Sequence, residues 1–142
     1  MKLLHMLTAA AALTACASEA TAKWREASTE HFVIYSEESE DSLRKFADRL
    51  ERYDAAMRLF RDIPPSDSGK ATRLTIYLVS NVATVQRLMA GKSGGSVAGF
   101  YLPRATGSLA FVPRTSGLSL DPEVVLRHEY AHHFMFNNYP GA

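Results

Sequence analysis

A single cysteine in 142 residues excludes an intramolecular disulfide and any cysteine-rich zinc ribbon. Excess charge of either sign is also lacking: 16 Lys and Arg face 15 Asp and Glu, a formal net charge of +1. That balance gives no basic field for a nucleic-acid partner, and none is expected. No apolar run is long enough to span a bilayer as a mature helix, and no internal repeat is visible. What is present is the composition of an ordinary globular protein, 46% apolar and 22% charged. The length suits about one domain, since domains run on the order of 100–200 residues.

The amino terminus departs from that average. Residues 1–15 carry one formal charge, Lys2, followed by Leu3, Leu4, Met6, Leu7 and the run Ala9 to Leu13. A basic start before a short apolar stretch is the pattern of a secretory leader, so export is expected. Leu13-Thr14-Ala15-Cys16 resembles the lipobox of bacterial lipoproteins. That resemblance implies cleavage before Cys16, a lipid on its side chain, and membrane anchoring on the periplasmic side of a bacterial envelope. Ordinary cleavage at Ala15-Cys16-Ala17 or Ala20-Thr21-Ala22 is the alternative and would give a secreted protein. Residues 16–23 then read as anchor and small, polar tether, and 24–142 as the folded part.

Within that part, His31 to Tyr35 is β-branched and aromatic and predicts a strand. Leu43, Phe46, Ala47, Leu50, Tyr53, Met57 and Phe60 follow at helical spacing, behind the capping and acidic run Ser36 to Asp41. That acidic run suits a helix start, not a cation site. Pro64-Pro65-Ser66-Asp67-Ser68-Gly69 makes a loop. Thr72 to Val79 predicts a second strand, Asn81 to Ala90 a short capped helix, and Val97 to Leu102 with Ser108 to Val112 a pair of strands. The last helix has a clear start, with Asp121 as cap, Pro122 at the first position and Glu123 in the first turn, and should run to about Phe136. Strands and helices in this order predict an α+β fold, a mixed sheet with helices packed on it. Trp24, Phe32, Phe46, Phe60, Tyr77 and Phe100 are expected as core anchors.

The final helix carries His128-Glu129-Tyr130-Ala131-His132, an H-E-x-x-H pattern. Residues four apart share a helix face, so both imidazoles can reach one metal ion with the glutamate beside them. Zn2+ suits such ligands and keeps a bound water whose pKa falls to about 7. His128 and His132 are therefore the candidate metal ligands and Glu129 the candidate general base. His133 points about 100° away from the ligand face and reads as a packing residue.

Val125-Leu126-Arg127-His128-Glu129-Tyr130-Ala131-His132-His133, with the preceding Ala98-Gly99-Phe100-Tyr101 and Leu109-Ala110-Phe111-Val112, resembles the zincin metallopeptidases, in particular the gluzincin group of thermolysin-like enzymes and bacterial lipoprotein peptidases. The resemblance implies a zincin-like fold, zinc-dependent hydrolysis of a peptide or protein substrate, and an edge strand that pairs with extended peptide, here Leu109 to Val112. A metzincin is excluded, because Met135 stands at the glycine position and Asn138 at the third histidine position. A gluzincin takes its third ligand as a downstream glutamate, and no acidic residue follows His132. The third ligand is thus expected beyond Ala142, and the chain is expected to be the N-terminal portion of a longer peptidase. A noncatalytic envelope lipoprotein with a zincin-like fold is the alternative.

Other patterns fall away. Gly91-Lys92-Ser93-Gly94-Gly95 matches G-x-S-x-G, but a helix pattern precedes it and strands follow, the reverse of a nucleophile elbow. Gln86 occupies the first glycine position that a phosphate-binding loop would need. Arg104 and Arg114 are expected to be solvated.

Overall fold

The computed structural model describes residues 23–65, 72–89, 97–115 and 121–139. The leader, Cys16 and the glycine-rich segment around Ser93 lie outside the described residues. Five strands and three helices form an α+β fold: β1 (Arg25–Ser28), β2 (Phe32–Ser36), α1 (Glu40–Phe60), β3 (Leu74–Asn81), α2 (Val82–Met89), β4 (Phe100–Leu102), β5 (Leu109–Thr115) and α3 (Pro122–Asn138).

The strands make one mixed sheet in the order β1-β2-β3-β5-β4. The central three run parallel, and β1 and β4 close the edges antiparallel. This corrects one expectation: Leu109 to Val112 is interior, bonded on both sides, and the edge beside α3 is β4. Register decides that outcome, since Phe100, Tyr101 and Leu102 stand opposite Phe111, Ala110 and Leu109, and composition does not reveal which of two neighbouring strands lies outside.

Alternation sorts the two faces. Phe32, Ile34, Leu74, Ile76, Leu78, Ala110 and Val112 face a core shared with Leu43, Ala47 and Leu50 of α1 and with Val125, Leu126, Tyr130 and Phe134 of α3. The other face carries Val79, Phe100 and Val85 of α2. It also carries a ladder of near-parallel rings, Tyr35, Tyr77, Phe111 and Phe100, with successive centroids 5.2, 5.0 and 4.7 Å apart. Cross-strand aromatic pairs of this kind stabilise a sheet by roughly 0.2–1 kcal/mol each.

Of the expected core anchors, Phe32 and Phe100 are buried, Phe46 and Tyr77 half-buried, and two are exposed. Phe60 is 85% exposed at the end of α1 and Trp24 is 45% exposed ahead of β1. Phe60 falls in the last turn, beyond the reach of the sheet, where the chain leaves the helix through Asp62 in the left-handed region (φ 53°). The start of α1 is as expected: the Ser39 hydroxyl accepts from the Ser42 amide, and Glu40 and Asp41 occupy the first turn.

Candidate metal centre

α3 begins where its sequence requires. The Asp121 carboxylate accepts from the Glu123 amide at 2.9 Å, and Pro122 occupies the first turn, where its missing N–H costs nothing. Val125, Leu126, Tyr130, His133 and Phe134 turn inward. Spacing then leaves Val124, His128, His132 and Phe136 on the exposed face, successive members four residues apart.

On that face the Nε2 atoms of His128 and His132 approach to 3.2 Å, with the rings at 87° to one another. Two nitrogens bound to one zinc at roughly 2.0–2.1 Å and at a tetrahedral angle stand about 3.3 Å apart. The pair therefore has the separation that a shared ion needs, and its donor set fits zinc. Among the described residues no third histidine, cysteine or carboxylate ligand atom joins the pair within 4.8 Å.

Glu129, between the two histidines in sequence, is 8% exposed. Burial pushes its carboxyl above the ordinary range, and the imidazoles of His128 and His132 pull it partly back. It lines an open cleft of about 390 Å³ with His128, Val124, Val125, Val97, Ala98 and Gly99. Gly99 is what lets this wall close on the helix. A Cβ there would lie 2.6 Å from Val125 Cγ1, 3.2 Å from the Phe111 carbonyl oxygen and 3.4 Å from Glu129 Cγ.

His133 is buried, as its angle on the helix predicts. Its Nε2 is 3.1 Å from the Thr72 carbonyl, an acceptor, so Nε2 carries the hydrogen. The Asn137 side-chain amide lies 2.9 Å from the same nitrogen, and Nδ1 faces the Tyr101 hydroxyl at 3.3 Å. Burial pushes the imidazole down to about 4, against the pull of the Thr72 hydrogen bond. Of the two arginines, Arg104 is exposed, while Arg114 differs from the expectation of simple solvation by pairing with Glu37 at 3.0 Å.

One cluster was not foreseen. His31 Nδ1 donates to Glu51 Oε2 at 2.7 Å and lies 3.6 Å from Asp54 Oδ2. These three side chains offer ligand atoms within 4.8 Å of one another and can hold a metal on spacing alone. Their oxygens, however, already have protein donors. Glu51 Oε1 takes the His31 amide at 2.9 Å, Asp54 Oδ2 takes Arg58 Nε at 2.8 Å, and Asp54 Oδ1 takes the Tyr130 hydroxyl. Arg58 already compensates the Asp54 charge within the protein, so the group also reads as a buried ion-pair network. A signal existed in the sequence: Asp54 continues the buried stripe Leu43, Ala47, Leu50, and an acid on an apolar stripe needs a partner.

No protein-family model, curated protein or solved structure matches the chain. Among the described residues, no helix is long and apolar enough to cross a membrane.

Proposed function

We propose that this protein is a zinc-dependent peptidase of the gluzincin type, exported and anchored through a lipid on Cys16. The observation that carries the reading is the 3.2 Å approach of His128 Nε2 to His132 Nε2 on the helix that also holds a buried glutamate between them. His128 and His132 hold the ion. When bound, zinc supplies a Lewis acid for the scissile carbonyl and an acidified water.

The work of this chain is then proton transfer and positioning. Glu129 takes a proton from water as the water oxygen adds to the peptide carbonyl carbon, and returns it to the departing amine as the C–N bond breaks. Its raised affinity for a proton brings the carboxyl closer to the working pH than an exposed glutamate, which suits a group that must both accept and give. Extended substrate pairs with the outer side of β4, whose inner side is bonded to β5, so main-chain hydrogen bonds hold peptide without regard to its side chains.

The alternative, a noncatalytic envelope lipoprotein, is favoured by the lack of a third ligand among the described residues. One experiment separates the two. Full-chain protein with zinc should cleave a mixed peptide library in a chelator-sensitive way, and Glu129→Gln should keep the metal and lose cleavage. Undiminished cleavage by that variant would overturn the mechanism, and no chelator-sensitive cleavage by the parent protein would favour the noncatalytic reading.

A further inference from the structure

A histidine that binds a metal is ordinarily oriented by a hydrogen bond from its second ring nitrogen to a carbonyl or carboxylate. Among the described residues neither imidazole of the pair meets such an acceptor, and their hydrogen bond is the one between their own Nε2 atoms. Both side chains are exposed. An exposed histidine without that bond has several staggered rotamers open to it, yet here the two rings converge.

Among the described residues, the ring contact to His132 from outside α3 comes from Tyr101 on the edge strand. The two rings are nearly parallel, 13° apart, with centroids separated by 6.3 Å, within the range of favourable offset ring contacts. Tyr101 is itself fixed at several points. Its hydroxyl lies 2.9 Å from Ser108 Oγ and 3.3 Å from His133 Nδ1, and its single hydrogen goes to one of the two. Its ring also meets that of His133 edge-on at 5.8 Å, and Phe136 tilts against it at 6.1 Å. The helix does not depend on Tyr101 for its placement, because Val125, Leu126, Tyr130 and Phe134 seat α3 in the core.

We propose that Tyr101 is a positioning residue for the metal site: its ring, packed against the rings of His133 and Phe136, holds the His132 imidazole in the orientation that turns Nε2 toward His128. The inference rests on the assignment of His128 and His132 as the ligand pair. It makes the edge strand a part of the site twice over, as the rail for peptide and as the wall that sets one ligand.

The test is zinc affinity of the full-length chain, measured by competition with a chromophoric chelator, for the parent protein, Tyr101→Phe, Tyr101→Leu and His132→Ala. Phenylalanine keeps the ring, and leucine keeps apolar bulk without it. Tyr101→Leu should bind zinc about 10-fold or more weakly, as expected for loss of an orienting neighbour, and Tyr101→Phe should stay within about threefold of the parent. The His132 ring-proton resonances of the metal-free protein supply a second reading: they should shift in Tyr101→Leu through loss of the neighbouring ring current and stay near the parent positions in Tyr101→Phe. Parent-like affinity in Tyr101→Leu, or equal weakening in both variants, overturns the positioning role while leaving the ligand pair intact. Unchanged zinc binding in His132→Ala overturns the ligand pair, and the positioning role with it.

Discussion

The phenol of Tyr130, next to Glu129 in the chain, donates its hydrogen to the carboxylate of Asp54 on α1, 76 positions away. Burial, with the Asp54 carboxylate beside it, pushes the phenol well above the ordinary tyrosine range, so it remains a donor at any working pH. Asp54 is 1% exposed and is held on its other oxygen by Arg58, whose side chain lies over the Phe134 ring. The helix that carries the candidate ligands is thereby fixed from its buried side by a charged contact. Its exposed side is left for chemistry.

Tyr130→Phe tests that arrangement. The ring still fills its place, but a buried charged acceptor loses its donor, which costs about 1–3 kcal/mol. Urea denaturation of the two proteins measures the difference. A loss under about half a kcal/mol, within the range of an indifferent surface substitution, would show that the contact does not hold α3.

Gly99→Ala should be costly for reasons of space alone. A new Cβ would meet Cγ1 of Val125, a buried β-branched side chain on a helix, at 2.6 Å and the backbone carbonyl oxygen of Phe111 at 3.2 Å. Overpacking of this kind costs about 1–3 kcal/mol. The strain bears on the Glu129 side of the cleft, so hydrolysis should fall by more than the loss of folded protein accounts for. Parent-like stability and turnover would show that this wall is not tightly set.

His133 should make the protein acid-labile in a definite window. Its imidazole is pushed down to about 4 in the folded state, against about 6.5 in an unfolded chain. The unfolded state therefore takes up the proton first, and stability falls as pH drops from about 6.5 through about 4, by on the order of 3 kcal/mol in full. Glu51 acts lower. Burial raises its carboxyl, but the bonds from Thr29 and His31 outweigh that and leave it below the ordinary range. Its contribution is thus present above about 4.3 and lost as pH falls through its folded value. Chemical denaturation between pH 6.5 and 4.5 reads the histidine against the opposite contribution of the raised Glu129 carboxyl, and His133→Gln should remove the histidine's share and flatten or reverse the slope there. An equal slope in both proteins would assign the acid sensitivity elsewhere.

Local chemistry made much of this legible from the sequence. Asp121 and Pro122 mark the start of α3, and Asn81 marks that of α2, where its side-chain oxygen accepts from the Thr84 amide at 3.0 Å. The H-E-x-x-H pattern does lie on a helix with its histidines on one face. Long-range pairing was not legible. The exchange of β4 and β5 at the edge depends on register, and β1, with the sequence Arg-Glu-Ala-Ser and three exposed residues of four, has no apolar alternation to announce it. Phe60 and Trp24 are apolar in type and exposed in place, because helix length and strand limits decide what the core reaches. The His31, Glu51, Asp54 and Arg58 network joins the start of β2 to α1, and only Asp54 on its apolar stripe hinted at it.

The measurement that tests the central claim most directly is zinc stoichiometry in the full chain, since two groups of side chains compete for the role of metal centre. The parent protein should bind about one zinc, the number one such site holds. His128→Ala and His132→Ala should each abolish that binding, while His31→Ala should retain it, because the oxygens around His31 are already engaged by protein donors. Binding that survives both substitutions on α3 and disappears with His31→Ala would contradict the account and move the metal to the buried network.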